Sequence, residues 1–476
     1  MDMIINTASE YLWGYFLTYG LLAAGAYFTL RLGFLQLRHA GEMIRTLASA
    51  KGVGREEGGI SPFQALSISL ASRVGTGNIV GVAVALYLGG AGAIFWMWVV
   101  AFLGMATSFA ESTLAQLYKT RSEDGSYRGG PEFYIARGLG LPWLGKVFAV
   151  LFIFTGLVFG AVQSNSIAGA MNGAFAVSPL VTGLVVSGLV AIVVLGGMSR
   201  IAVVAEFVVP FMAGVYVLVT LVVAVMNAGQ LPGILGDIVS GAFGLNEAAG
   251  GAAGSMTAAL MNGVRRGLFS NEAGLGTAPH IAASATPNPH HPAAQGFVQA
   301  LSVFIDTIVV CTATAILILT SGVMGPDNTL NGVELTQAAF NAHLGGMGPT
   351  FVAAAIFLFA GTTIFSSYAF CENAAAILFG SNPMVQLGLK LVIIATTFGG
   401  ALQAVALVFG LADVFMASLA SINLVVILLL SGTVRAMAQD YVTQRKTHTP
   451  RLDLNAFPQL RGKVDQEVWG TRSDRG

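Results

Sequence analysis

The chain has 476 residues, of which 55% are hydrophobic and 10% charged, with a formal net charge of zero. A soluble domain carries about 25% charged residues, so this composition excludes a soluble globular protein and places the chain in a bilayer. Zero net charge argues against a nucleic-acid partner, and the two cysteines, Cys311 and Cys371, both lie in apolar runs, which argues against a disulfide framework.

Apolar runs of at least about 18 residues, each able to span a bilayer as a helix, recur along the chain. Eleven spans are predicted, near 11–32, 63–89, 92–118, 145–171, 179–197, 201–226, 253–285, 293–321, 349–380, 386–403 and 405–432. The first follows Asp2 and Glu10 rather than a basic region, and reads as a retained span rather than a cleaved signal. Loop 33–62 holds Arg38, Arg45, Lys51 and Arg55, and loop 119–144 holds Lys119, Arg121, Arg128 and Arg137. Segments 1–10, 227–252 and 322–348 contain no Lys or Arg. The alternation is the positive-inside pattern, with the N-terminus outside and the C-terminus cytoplasmic. The polar tail, 433–476, which carries Arg472 and Arg475 near its end, reads as only loosely ordered.

Two spans carry an interruption. In ASRVGTGNIVGVAVAL (71–86), Gly75-Thr76-Gly77-Asn78 sets two helix-weakening glycines beside residues that compete for backbone hydrogen bonds. In RRGLFSNEAGLGTAPH (265–280), Gly274 and Gly276 repeat the spacing, with Asn271 and Glu272 close by. Bare backbone at membrane depth is tolerated where it lines a cavity or is buried in protein. Two such breaks in corresponding halves point to the binding site of a secondary transporter. The half-helix starting near Asn78 offers N–H groups and a positive dipole end to a carboxylate, and the one ending near Val74 offers carbonyls to a cation. The competing reading is that each glycine pair only lets helices pack closely.

At these residues the sequence resembles the alanine/glycine:cation symporter family, the sodium:alanine symporters. SLASRVGTGNIVGVAVALYLGGAGAIFWMWVVAFLGMATSFAESTLAQLYK (69–119), MNGVRRGLFSNEAGLGTAPH (261–280) and GSYRGGPEFYI (125–135) carry the resemblance. It implies an all-α polytopic protein with a leucine-transporter-like fold. In that fold an extra helix and cytoplasmic loop (1–62) precede two inverted five-helix repeats, 63–226 and 253–432. The repeats are joined by an extracellular loop, 227–252, and followed by a cytoplasmic tail, 433–476. It also implies a bacterial cytoplasmic membrane location.

The same resemblance implies roles for individual residues. Gly75, Thr76 and Gly77 would offer backbone to an amino acid carboxylate. The Ala71 and Val74 carbonyls would hold Na⁺, completed by Thr362 or Thr363, with Ser366 in reserve. Phe269 would cover the substrate, and the Ser270-Asn271 backbone would face its ammonium group. Gln163 would be a polar contact from the opposite wall. Oxygen donors suit a hard cation on chemical grounds as well. The chain departs from the family where the ninth span is expected to read Gly-Trp, two tyrosines and Gly-Glu. Here it reads Ser366-Ser367-Tyr368-Ala369-Phe370-Cys371-Glu372. Ser367 in place of a Trp enlarges the pocket and opens it to a larger neutral amino acid such as glutamine or serine. Gly89-Gly90-Ala91 stands where Gly-Gly-Pro is usual.

The remaining polar residues divide less sharply. Arg73, beside the first break, costs about 3 kcal/mol on insertion scales unless paired or hydrated, and reads either as a gate ion pair or as an anchor reaching the inner interface. Glu111, Glu206, Glu272, Asp306, Glu372 and Asp413 are acids at or near membrane depth. Glu272, inside the second break, is the coupling candidate among them, with Arg73 and Asn78. Arg265 and Arg266 are expected at the outer vestibule or as interface anchors. His290-His291 lacks neighbours with metal-ligand spacing, and no phosphate-binding Gly-Lys-Ser/Thr loop is present.

The sequence therefore reads as a sodium-coupled symporter of small neutral amino acids, monomeric, with no cofactor beyond the coupling ion, and not an enzyme. Proton coupling is the alternative. An ion channel is a remoter one, since a shared pore-lining signature is missing.

Overall fold

The computed structural model describes residues 11–48, 59–122, 125–245, 252–325, 328–380 and 382–470. Segment 1–10, Lys51, Arg55, Arg472 and Arg475, which entered the charge argument above, lie outside the described residues.

Helix starts follow local chemistry. A π-helical turn, Leu12–Leu17, leads into α1 (Thr18–Arg31), and α2 is Ala40–Ala48. α3 (Pro62–Arg73) opens on a capping box in which the Ser61 hydroxyl accepts from the Gln64 N–H and the Gln64 side chain returns the bond, with Pro62 in the first turn. After the break, a π-helical turn (Gly77–Gly81) runs into α4 (Val82–Gly89), and the two halves are bent by 50°. Then come α5 (Gly92–Leu117), the short hairpin β1 (Thr120–Arg121) and β2 (Tyr127–Arg128), α6 (Pro142–Phe175), α7 (Pro179–Val194) and α8 (Gly197–Met226). After α9 (Leu231–Ala242), the second broken unit is α10 (Ala252–Asn271) and α11 (Thr277–Ser284). α12 (Pro292–Val303) continues through a π-helical stretch, Phe304–Cys311, into α13 (Thr312–Thr320). The rest are α14 (Gly332–Leu344), α15 (Gly348–Phe379), α16 (Pro383–Leu402), α17 (Val405–Leu429) and α18 (Ser431–Gln444).

Seven helical segments among the described residues are long and apolar enough to cross a bilayer, eight if the bent pair α3–α4 counts as one span. The chain is a multi-pass membrane protein. α6 packs along α15 and α16, while α5 is wrapped by α10 and α12. Glycine makes the second contact close: a Cβ on Gly263 of α10 would come within 2.4 Å of the Ala93 carbonyl oxygen of α5.

Three expectations need correction. The stretches 227–252 and 322–348 are not simple loops. α9 turns Ile234, Ile238 and Ala242, four residues apart, into the protein, and α14 buries Leu335, Ala339 and Phe340. The tail is not loosely ordered over its described part. After α18 it lays Leu452, Leu460, Val464, Val468 and Trp469 into the core. The Trp469 indole N–H donates to the Leu117 carbonyl (3.1 Å) and the Leu452 N–H to the His290 carbonyl (3.1 Å). Arg445 pairs with Glu42 at 2.9 Å, so α2 and the tail brace each other. Leu460, Val464 and Val468 are four apart, but only single turns form there, Pro458–Leu460 and Gln466–Trp469, so no amphipathic helix announces their burial. Arg73 does not reach the inner interface: it is buried within the bundle.

Candidate functional site

Both predicted breaks exist, and they touch. At the first, α3 stops at Arg73 and the Val74 backbone turns away from helix. Two N–H groups that helix would have used reach side chains: Gly75 N–H donates to Asn78 Oδ1 (3.0 Å) as well as to the Arg73 carbonyl (2.8 Å), and Thr76 N–H donates to Gln163 Oε1 of α6 (3.1 Å). On the carbonyl side, Thr363 of α15 donates to the Ala71 carbonyl (2.9 Å), with the Ser72 carbonyl at 3.2 Å, and Ser366 donates to the Ile68 carbonyl (3.2 Å). Thr362 points elsewhere, to the Phe359 carbonyl (2.9 Å) and toward Met212 of α8. Ser367 returns its hydroxyl to the Thr363 carbonyl (2.9 Å), one turn further along α15.

The second break begins where Glu272 takes a left-handed conformation (φ 55°), followed by Gly274 (φ 89°) and Gly276 (φ 87°). Left-handed backbone is costly for a side-chain-bearing residue and natural for glycine. Here the freed N–H groups of Gly274 and Gly276 go to the two oxygens of a single carboxylate, Glu111 of α5, each at 3.2 Å. Asn423 of α17 bridges from the other side, donating to Glu111 and to the Gly274 carbonyl, each at 2.9 Å. Asn271 Oδ1 accepts from the Ala273 N–H at 3.0 Å.

The breaks meet at Gly77, where a Cβ would fall 2.9 Å from Ser270 Cα and 3.2 Å from the Phe269 ring. Two acids join them. Glu272 accepts from the Ser72 hydroxyl (2.9 and 3.1 Å), and Asp306, in the π-helical stretch, accepts from Asn78 (2.7 Å) and Ser270 (2.8 Å). Arg73 is buried beside them. It donates to Ser108 (3.1 Å), to the Gln299 carbonyl (3.2 Å) and to Ser302, oxygens of α5 and α12, and Glu272, Asp306 and Glu111 lie close enough to act on its charge. A guanidinium offers five donors in a fixed fork, which these oxygens suit.

Phe269 is stacked between Phe159 of α6 (5.5 Å) and Phe409 of α17 (5.9 Å). Above this aromatic layer a cavity of about 440 Å³ is lined by Asn165, Ser166, Arg266, Asn331, Glu334 and Phe409. Arg265 and Arg266 both face Asp413 of α17, Arg266 at 3.7 Å. At the opposite, basic end lies a second cavity of about 450 Å³, lined by Arg128, Ser284, Glu372 and Asn373 among others. The pair of breaks thus sits between two hollows, a mainly apolar one above the aromatic layer and a polar one at the basic end.

Sequence reasoning placed Gly75, Thr76, Gly77, Gln163, Thr363, Phe269 and Ser270 around one point, and the structure brings these together. It left Ser367 and Thr362 without a bond to the first break. It undervalued Glu111 and Asp306, whose signal was only that each is an acid in an apolar run. It passed over Glu132 and His280, although both stand inside the quoted motifs.

Broken helices facing each other between two end cavities define a membrane transporter rather than an enzyme. A solved manganese transporter of Eremococcus coleocola shares the fold, with a TM-score of 0.55 at 12% identity over 84% of this chain and 83% of that one. The sodium:alanine symporter family profile matches residues 1–453, and the chain belongs to that family. It is 46% identical over 446 residues to the amino-acid carrier protein AlsT of Bacillus subtilis, covering 94% of this chain and 93% of the relative. It is 40% identical over 455 residues to the sodium/alanine symporter AgcS of Methanococcus maripaludis, covering 94% and 99%.

Proposed function

We propose that this protein is a sodium-coupled symporter of small neutral amino acids that works by alternating access. In this reading eleven spans cross the membrane, with an extra helix ahead of two inverted five-helix repeats, 63–226 and 253–432. The basic end of the bundle faces the cytoplasm and the lysine-free end faces outside, in keeping with the positive-inside distribution. The protein acts as a monomer in a bacterial cytoplasmic membrane and takes no cofactor besides Na⁺.

The observation that carries the reading is the first break. Gly75 and Thr76 N–H groups point at the amide oxygens of Asn78 and Gln163. Those two oxygens stand where the carboxylate of an amino acid would bind, so substrate displaces them and is received by bare N–H groups at a helix start. About one helical turn before, the Ala71 carbonyl and the Thr363 hydroxyl lie 2.9 Å apart. With Val74 and Ser366 they form an oxygen set suited to Na⁺, a hard cation. The Ser270-Asn271 backbone receives the ammonium group, and Phe269 covers the pocket from outside.

Sodium drives uptake only by binding one conformation better than the other. Here it ties the end of α3 to α15, fixing the carbonyl side of the break and pre-forming the N–H side. With both ligands seated the aromatic layer stays closed and the basic end opens. Ser367, smaller than the Trp expected there, favours a range that extends beyond alanine and glycine to glutamine or serine.

Proton coupling is the second reading, favoured by the acids Glu272 and Asp306 that join the two breaks. Radiolabelled amino acid uptake into proteoliposomes with imposed Na⁺ or H⁺ gradients decides between them. Accumulation driven by Na⁺ alone is expected. Accumulation that needs only a proton gradient would reject sodium coupling, and no accumulation under either would reject transport of these substrates.

A further inference from the structure

His280 in α11 and Glu132, in the single turn Pro131–Phe133, are both fully buried, and no role described so far uses them. The His280 ring has two polar neighbours. Nδ1 lies 2.7 Å from the Gly276 carbonyl, and Nε2 lies 3.1 and 3.0 Å from the two oxygens of the Glu132 carboxylate. A carbonyl oxygen only accepts, so Nδ1 carries a hydrogen. In a neutral imidazole the other nitrogen is then bare. A bare Nε2 facing a carboxylate sets lone pairs against lone pairs at hydrogen-bond distance, in a dry contact where that repulsion is unscreened. The arrangement becomes a bond only when the pair holds one extra proton, on Nε2 or on the carboxyl group.

His291 shows the opposite arrangement in the same molecule. Its Nδ1 accepts from the Ala293 N–H (3.1 Å), so its Nε2–H donates to Asp440 (3.1 Å) and no extra proton is required. Burial holds this histidine below its usual range, with Asp440 acting against that.

We propose that the His280–Glu132 pair is a proton-binding site that latches α11, the second half of the second break, to the Pro131 turn, and that loss of the proton releases it. The contact leaves no room for another partner: a Cβ on Gly130 would fall 2.7 Å from the His280 ring, and one on Gly276 would fall 2.5 Å from Pro131. α6 and α15 set the rings of Phe152 (4.2 Å) and Phe370 (6.3 Å) against the imidazole. Of the charged groups of the surrounding elements, Glu111 of α5 holds the Gly274 and Gly276 N–H groups, Lys119 donates to the Ala285 carbonyl (2.8 Å) and Arg73 of α3 faces Ser108 and Ser302, while Arg128 lines the basic-end cavity. Proton loss leaves neutral histidine against carboxylate, and the proton passes to water of that cavity. The pair then parts and α11 swings. Since α11 ends at Ser284, in the wall of the same cavity, the latch governs whether the basic end opens.

Two measurements test this. The first, uptake against pH at saturating Na⁺ in proteoliposomes, rests on the transport reading. Wild type is expected to change by roughly three-fold or more between about pH 5.5 and 9, while Glu132→Gln, whose amide N–H bonds Nε2 permanently, is expected to give a flat profile. A Glu132→Gln profile that follows wild type overturns the proposal. The second needs neither transport nor a variant: histidine nitrogen spectra of the isotope-labelled wild-type protein in liposomes. At the low-pH end of that range His280 Nε2 and the Glu132 carboxyl group are expected to share a hydrogen, seen as coupling of that hydrogen to Nε2 or to the carboxyl carbon. A His280 Nε2 without a shared hydrogen, facing an ionised carboxylate there, overturns the proposal even if uptake fails.

Discussion

The two breaks solve one problem with different chemistry. At Gly75–Asn78 the orphaned peptide groups are met by neutral, exchangeable partners, the amides of Asn78 and Gln163 and the hydroxyl of Thr363. At Glu272–Gly276 they are met by the buried carboxylate of Glu111, locked in turn by Asn423. Neutral side chains yield to a ligand at small cost, because one hydrogen bond replaces another. A buried carboxylate bonded on both oxygens does not yield, since freeing it leaves an uncompensated charge. The first break is built to be entered, and the second to hold its shape against it.

Four substitutions would break or sharpen that contrast. The largest effect is expected from Glu111→Ala, which strands the Gly274 and Gly276 N–H groups and Asn423. We expect a loss of about 3–5 kcal/mol, seen as a strongly lowered melting temperature in detergent and as lost uptake. An unchanged melting temperature would mean the clasp is dispensable. Gly77→Ala pushes a methyl group into Ser270 and Phe269, at about 1–3 kcal/mol for overpacking. Uptake should fall at least about ten-fold, while Gly81→Ala, whose Cβ would meet its nearest atom at 3.9 Å, stays near wild type. Equal losses at both positions would remove the argument for contact between the breaks.

Thr363→Ala acts on the exchangeable side. The half-saturating Na⁺ concentration is expected to rise about ten-fold, equivalent to ~1.4 kcal/mol, with substrate affinity at saturating Na⁺ little changed. A wild-type Na⁺ response would exclude Thr363 as a ligand. The smallest effect is expected from Ser367→Trp. It should narrow the competition profile toward alanine and glycine, weakening inhibition by glutamine a few-fold at constant alanine uptake. Undiminished competition by glutamine would show that Ser367 does not set the range.

How far the chain could be read varies with the kind of signal. Glycine and asparagine inside apolar runs announced both breaks, because helix propensity and backbone hydrogen bonding are local. Gln163 and Thr363 were found through the motif resemblance, and their bonds span 87 and 292 positions of sequence. The docking of the tail through Trp469 left no trace, since its burial depends on Leu117 and Lys119 across the fold. The hydrogen-bond partners of Arg73 are hidden for a related reason: Ser108, Gln299 and Ser302 reach it only when α5 and α12 close around it.

By itself the sequence determined that the chain lives in a bilayer and where two of its apolar runs must interrupt, since hydropathy and helix propensity act over a single turn. Only the tertiary structure decided which carboxylate clasps which break, where the buried guanidinium goes, and that Glu132 faces the proton-bearing problem of His280. Those pairings are set by charges and lone pairs that must be satisfied where water is absent, and partners for such groups come from whichever helix packs nearest, at any distance along the chain.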